Sequence, residues 1–188
     1  MTIIVYCSGS IVKGARDTSK LCWSDRERSD VARGAQPHEV KFLNPDDPLS
    51  DLSDTPALFG RDMYQVQYAD AVIVDARERR GVGIGVEMLA SRVLGTKLVA
   101  VAPRNSYYRQ DSLTFRGGTV SNYVHPHLAI LCDAIVDTFE DAGRWLADHA
   151  DDLPRDTSAV REAIEAYKQR LLPTDQPMLD LLPALHNR

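Results

Sequence analysis

Short apolar runs of strand length recur along the first half of the chain: Thr2 to Tyr6, Glu39 to Leu43, Ala71 to Asp75 and Lys97 to Ala102. Each is too brief for a buried helix, and the first two stop at turn-forming residues, Cys7-Ser8-Gly9-Ser10 and Asn44-Pro45, as buried strands do. Between them lie stretches of helical composition or spacing. Ala15 to Ala35 is bounded by Gly14 and Gly34, and Ala57 to Tyr68 and Gly85 to Leu94 complete the set, with Asp46 to Pro56 as an acidic, proline-containing loop. Strands alternating with helices predict a parallel α/β sheet in one Rossmann-like (flavodoxin-like) domain flanked by helices.

The second half reads differently. Pro103 to Tyr123 carries Gly117-Gly118, three tyrosines and little periodicity, which predicts a loop long enough to be functional. From His127, apolar Leu128, Leu131, Ile135, Phe139, Ala142 and Leu146 recur at spacings of three and four, predicting one long amphipathic helix that closes the sheet's face. Beyond Asp151-Asp152-Leu-Pro154, residues Val160, Ile164, Tyr167 and Leu171 predict a further helix before a proline-rich tail. The expected organisation is one domain over 1–150 and a C-terminal helical extension over 151–188.

Composition narrows the function. With 188 residues, a chain of this size buries roughly 70% of its unfolded surface and needs no metal or disulfide staple. The net charge of -5, a pI near 5.5 and scattered basic residues argue against a nucleic-acid polymer as partner. The three cysteines, Cys7, Cys22 and Cys132, have no C-x-x-C spacing and read as reduced, mostly buried thiols. No basic segment precedes an apolar one at the start, and no apolar run approaches about 18 residues. A cytoplasmic protein without a membrane partner is expected.

The candidate chemistry sits after the third apolar run. Gly81-Val-Gly83-Ile-Gly85-Val-Glu87 places a carboxylate behind three glycines at the start of an apolar helix, where backbone can press against a ligand and the helix dipole favours an ionised acid. Asp62 lies 25 residues upstream, on the segment leading into the same strand. Two carboxylates at one strand end point to glycosyl chemistry. The glycine run lacks full G-x-G-x-x-G spacing and follows a late strand, so a dinucleotide cofactor is not expected. His125-Pro-His127 has no third ligand at a diagnostic spacing, so no metal is expected either. No Gly-x-Ser-x-Gly elbow supports acyl transfer. Arg77, Arg79 and Arg80 form a small basic group that is either a solvated surface or a device for capturing phosphate.

Laid out in this way, residues 3 to 146 resemble the nucleoside 2-deoxyribosyltransferase family, and within it the 2'-deoxynucleoside 5'-phosphate N-hydrolases. The resemblance rests on Tyr6-Cys-Ser-Gly9-Ser10-Ile11 followed by Gly14-Ala-Arg16-Asp17, on Asp62 eight residues before Asp70, and on Gly83-Ile-Gly85-Val-Glu87. It implies that Glu87 attacks C1' of a nucleotide or nucleoside, that Asp62 protonates the departing base, and that Tyr6 orients Glu87. It also implies a substrate-binding set of Ser8, Gly9, Ser10, Ile11, Lys13, Arg16, Gly81, Gly83 and Gly85, joined by Ser112 and Asn122 from a neighbouring subunit of a homodimer or higher homo-oligomer.

The chain departs from its relatives around the phosphate. Val12 stands where the hydrolases have Arg, and Gly81, six residues before Glu87, stands where hydrolases have Ser and transferases have Asp. Losing the Asp disfavours the transferase way of holding a free 5'-hydroxyl, and backbone N–H groups at Gly81 and Gly83 with Lys13 or Arg80 are the replacement phosphate donors. A nucleoside 5'-monophosphate N-hydrolase is the preferred expectation; a deoxyribosyltransferase and a non-catalytic nucleotide sensor stay open. Trp23, Phe59, Tyr64 and Tyr107 are the candidates for stacking on the base.

Overall fold

The computed structural model describes residues 1–9, 23–45, 53–78, 81–151, 157–170, 172–176 and 179. Strands β1 (Thr2–Ser8), β2 (Glu39–Leu43), β3 (Ala71–Asp75) and β4 (Lys97–Val101) fall where the apolar runs predict them. They form a parallel sheet of five strands in the order β2-β1-β3-β4-β7, with β7 at Ala134–Val136. Helices α1 (Asp25–Gly34), α2 (Thr55–Tyr68), α3 (Val82–Leu94), α4 (Pro126–Leu131) and α5 (Phe139–Asp148) flank it, and α6 (Ala159–Arg170) packs against α4. This is the flavodoxin-like α/β fold with an added C-terminal helix.

Alternation along the strands sorts two cores. On β1, Ile3, Val5 and Cys7 face one way with Ile73 of β3 and Val99 of β4, packing under α1 and α5 with Trp23, Val31, Phe139 and Leu146. Tyr6, Val72, Val74, Leu98 and Ala100 face the other way, under α2, α3 and α4, with Val66, Ile84, Met88 and Leu128. Nearly every core side chain of β3 and β4 is buried because helices cover both faces. At the start of the sheet Asp70 Oδ2 accepts the N–H of Ile4 at 2.7 Å, and Asp133 Oδ2 accepts that of Leu98 at 2.8 Å. Each ties a strand to its neighbour at the end opposite the site.

Several expectations are corrected. Residues 103–123 are no structureless loop: β5 (Arg109–Phe115) and β6 (Gly118–Val124) form an antiparallel hairpin. Its two-residue turn, Arg116-Gly117, has φ of 49° and 82°, the positive pair a type I′ turn requires. The long helix from His127 is instead α4, β7 and α5, because Asp133 N donates to Leu98 O at 2.7 Å and draws Ala134–Val136 into the sheet edge. Strand pairing wins there over a helical apolar spacing that all three segments happen to satisfy. The helix read over Ala15 to Ala35 is seen as Asp25–Gly34, started by the Ser24–Glu27 capping box; its earlier part lies outside the described residues. Finally, α3 begins at Val82 rather than Gly85, and α2 begins at Thr55 with Asp54 as N-cap.

The opposite face from α3 is closed by direct backbone contact. A Cβ on Gly34 of α1 would lie 2.0 Å from Glu140 O, and one on Gly143 of α5 would lie 2.1 Å from Val31 O. No side chain fits at either position, so the two helices cross closer than side chains would allow.

Candidate active site

The chain turns back on itself at β1, with β2 on one side and β3 on the other. In open parallel sheets the crevice at the carboxyl ends of two such strands is where ligands bind. Strand alternation puts Tyr6 and Ser8 on the same face of β1, and the helical period puts Ile84, Glu87, Met88 and Ser91 on the buried face of α3. They meet at Glu87. The Tyr6 hydroxyl donates to Oε1 at 2.9 Å and the Ser8 hydroxyl donates to Oε2 at 2.5 Å, and all three residues are buried.

The electrostatics differ from the expectation. Glu87 lies past the first turn of α3, so the dipole does not set its charge. Burial pushes its carboxyl up to about 7, the Ser8 and Tyr6 hydroxyls pull against that shift, and the negative charge of Asp62 adds to it. Asp62 is half-buried on α2, and its charge reaches Glu87.

The remaining predicted residues divide into groups. Gly9 follows directly on β1 and is half-buried, whereas Ser10, Ile11, Lys13 and Arg16 lie outside the described residues. Gly81 is the N-cap of α3 and supplies no side-chain cap, with Gly83 and Gly85 just inside the helix. A Cβ at any of the three would meet nothing within 4 Å, so packing against the described residues does not demand glycine there. Gly81 and Gly85 line a cavity of about 290 Å³ between α3 and Tyr107, Tyr108, His125 and Leu128. Glu87 is not among its lining residues, although Ile84 and Met88 of the same buried face are; its carboxylate is bonded to β1 instead. His125 is the N-cap of α4 and sits below its ordinary range because burial and the neighbouring His127 disfavour its cation.

Ser112 and Asn122 are on the exposed hairpin, where Ser112 pairs with Ser121 and Asn122 has a φ of 52°. Asn122 lines a separate cleft of about 220 Å³ with Arg104 and Arg109. Among the described residues no hydrogen bond joins either of them to Glu87. No group of three or more His, Cys, Asp or Glu that would hold a metal gathers among the described residues.

Two side chains with candidate binding roles belong to the scaffold instead. Trp23 is fully buried, edge-on to Phe139 at 4.7 Å, and is not available to stack on a base. Arg77 forms a fork on buried Asp75, with Nε to Oδ1 at 2.8 Å and a terminal nitrogen to Oδ2 at 3.0 Å, pairs with Glu27 and lies over the Phe139 ring. It joins β3, α1 and α5, and Asp75 raises its already high pKa. Arg79 and Arg80 lie outside the described residues. Phe59, Tyr64 and Tyr107 are exposed.

The contact between Ser8 and Glu87 is the feature that motif reading missed. Its signal was present: if Tyr6 turns toward Glu87, strand periodicity turns Ser8 the same way.

Against known proteins, the chain matches no family model and no curated sequence. Among solved structures it is similar to a 2-desoxiribosyltransferase from Leishmania mexicana, with a TM-score of 0.53 and 19% identity over 78% of this chain and 98% of that one. A 2-deoxyribosyltransferase from Bacillus psychrosaccharolyticus gives a TM-score of 0.45 and 13% identity over 76% and 90% of the two chains. The first likeness establishes a shared fold.

Proposed function

We propose that the protein cleaves the N-glycosidic bond of a (2'-deoxy)nucleoside 5'-monophosphate through a glycosyl ester on Glu87, releasing free base and sugar phosphate. The observation that carries this is the buried Glu87 carboxylate, gripped by the Tyr6 and Ser8 hydroxyls at the crevice between β1 and β3, with Asp62 charged toward it. In the reacting form the proton that the two carboxyls share lies on Asp62 and Glu87 is ionised: a lone pair on a Glu87 oxygen bonds to C1' as the C1'–N bond breaks, its electrons passing to the base, which takes that proton from Asp62. Water then attacks C1', the ester C–O electrons return to Glu87, and the water's proton returns to Asp62. Carboxylates about 5 Å apart in the working enzyme suit this double displacement.

Phosphate binding falls to the Gly9–Ile11 segment, Lys13 and Arg16, together with the uncapped N–H groups beyond Gly81. A second copy of the chain supplies Ser112 and Asn122 from its hairpin. The transferase reading keeps a specific support, the fold shared with a deoxyribosyltransferase, and differs only in that a second base, rather than water, resolves the ester.

The test is base release, followed by chromatography, from ribo- and deoxyribonucleoside 5'-monophosphates and the matching nucleosides, with and without an acceptor base. Wild type is expected to release base from a monophosphate, and Glu87→Ala to lose at least about a thousandfold of that rate. Exchange that requires the acceptor moves the assignment to a transferase. Thermal stabilisation by a nucleotide with no release from any substrate overturns the enzyme reading in favour of a sensor.

A further inference from the structure

Ser8 is 0% exposed, as is Tyr6. Its hydroxyl contacts Glu87, while its backbone carbonyl accepts the Trp23 indole N–H at 3.4 Å from the opposite side of the sheet. The end of β1 is thereby held from both faces. A glutamate's last torsion is broad and roughly two-fold, so one donor on one oxygen leaves the carboxylate plane free to swing. Donors on both oxygens, from side chains two residues apart on one rigid strand, remove that freedom. Each ionised oxygen still has a second lone pair for attack.

We infer that Ser8 is a positioning residue for the nucleophile, clamping the second oxygen of Glu87 while Tyr6 clamps the first, and so fixing the direction in which the free lone pairs meet the sugar carbon. The inference rests on reading Glu87 as the nucleophile and assigns Ser8 a partner other than the substrate. Around this carboxylate, β1 contributes the Tyr6 and Ser8 hydroxyls and α2 the like charge of Asp62, while Ser91 of α3 donates to the Glu87 backbone carbonyl rather than to the carboxylate. The hydroxyls favour the ionised acid; burial and Asp62 oppose it. Removing Ser8 tips that balance toward the protonated, non-nucleophilic form.

The experiment compares wild type with Ser8→Ala, Ser8→Cys and Tyr6→Phe. The Glu87 carboxyl is titrated by ¹³C NMR, assigned with Glu87→Gln, and the pH dependence of base release is measured alongside. In Ser8→Ala the titration midpoint is expected to rise by about one pH unit or more. The acid limb of kcat/KM moves with it, so that one unit below the wild-type midpoint the rate falls about tenfold while KM holds. Ser8→Cys, a weaker donor of similar size, falls between. An unchanged Glu87 midpoint in Ser8→Ala overturns the inference, and a raised KM with that midpoint unchanged reassigns Ser8 to substrate contact. The two readings fail separately. Absence of base release in wild type removes the glycosidase reading while the carboxyl titration still decides the clamp. Glu87-dependent release with a titration indifferent to Ser8 removes the clamp alone.

Discussion

At the scale of one residue, Glu87 costs the folded protein stability. Its carboxyl is raised from 4.5 to about 7, so the folded state holds a proton that the unfolded state has released anywhere between those values. Stability therefore falls as pH rises through that window: the penalty is absent below about pH 4.5, and above about pH 7 it amounts to about 3 kcal/mol. Glu87→Gln keeps the shape and removes the charge. It is expected to raise the melting temperature clearly at pH 8 and hardly at all at pH 4.5, as measured by calorimetry at both pH values. An equal shift at the two pH values would show that Glu87 titrates normally. On the proposed reading of Glu87 as nucleophile, base release is expected to climb through about pH 7 as this carboxyl ionises. At this scale Glu87 was legible as a candidate because glycines and an apolar strand frame it, whereas its contact with Tyr6 was implied only by the family resemblance. The direction of its pKa was not legible, because sequence gives a helix position only to within a turn and the burial of a side chain not at all.

Among the elements, the crossing of α1 and α5 is the least forgiving contact. Gly34 and Gly143 each face the other helix's backbone at distances no Cβ tolerates. Gly143→Ala is expected to cost about 3 kcal/mol or more in chemical denaturation, since backbone, not a flexible side-chain tip, must move. The same change at Gly83, whose surroundings are open, is expected to leave stability within about 1 kcal/mol, the contrast separating close approach from intrinsic helix propensity. Strands β1 to β4 were readable because burial on both faces writes continuous apolar runs. The hairpin was not: Arg109–Phe115 and Gly118–Val124 are mostly exposed, so no face carries an apolar alternation to read. The three-and-four spacing after His127 was real but ambiguous, since a contact to Leu98 remote in sequence decides that Ala134–Val136 extends.

For the whole molecule, that hairpin matters most. Two strands with little core of their own are marginal in water, and this pair presents exposed Phe115 and Val120. If it completes a neighbour's site, Glu87→Ala and Ser112→Ala are defective in opposite halves of a shared centre. Mixing the two inactive variants after dissociation is expected to restore about a quarter of wild-type activity, through hybrid dimers with one intact site. No recovery, in a mixture shown by mass spectrometry to contain hybrids, would place Ser112 in its own chain's site, and an active Ser112→Ala variant would place it outside any site.

The two faces of the sheet carry different burdens. One is locked by helix backbones in contact and by Trp23, Phe139 and Arg77; the other holds Tyr6, Ser8 and Glu87 beneath α2 and α3. Libraries diversified on exposed positions of α2 and α3 should yield folded members far more often than libraries of equal size along the α1–α5 seam, leaving selection free to reshape one side while the other keeps the chain folded.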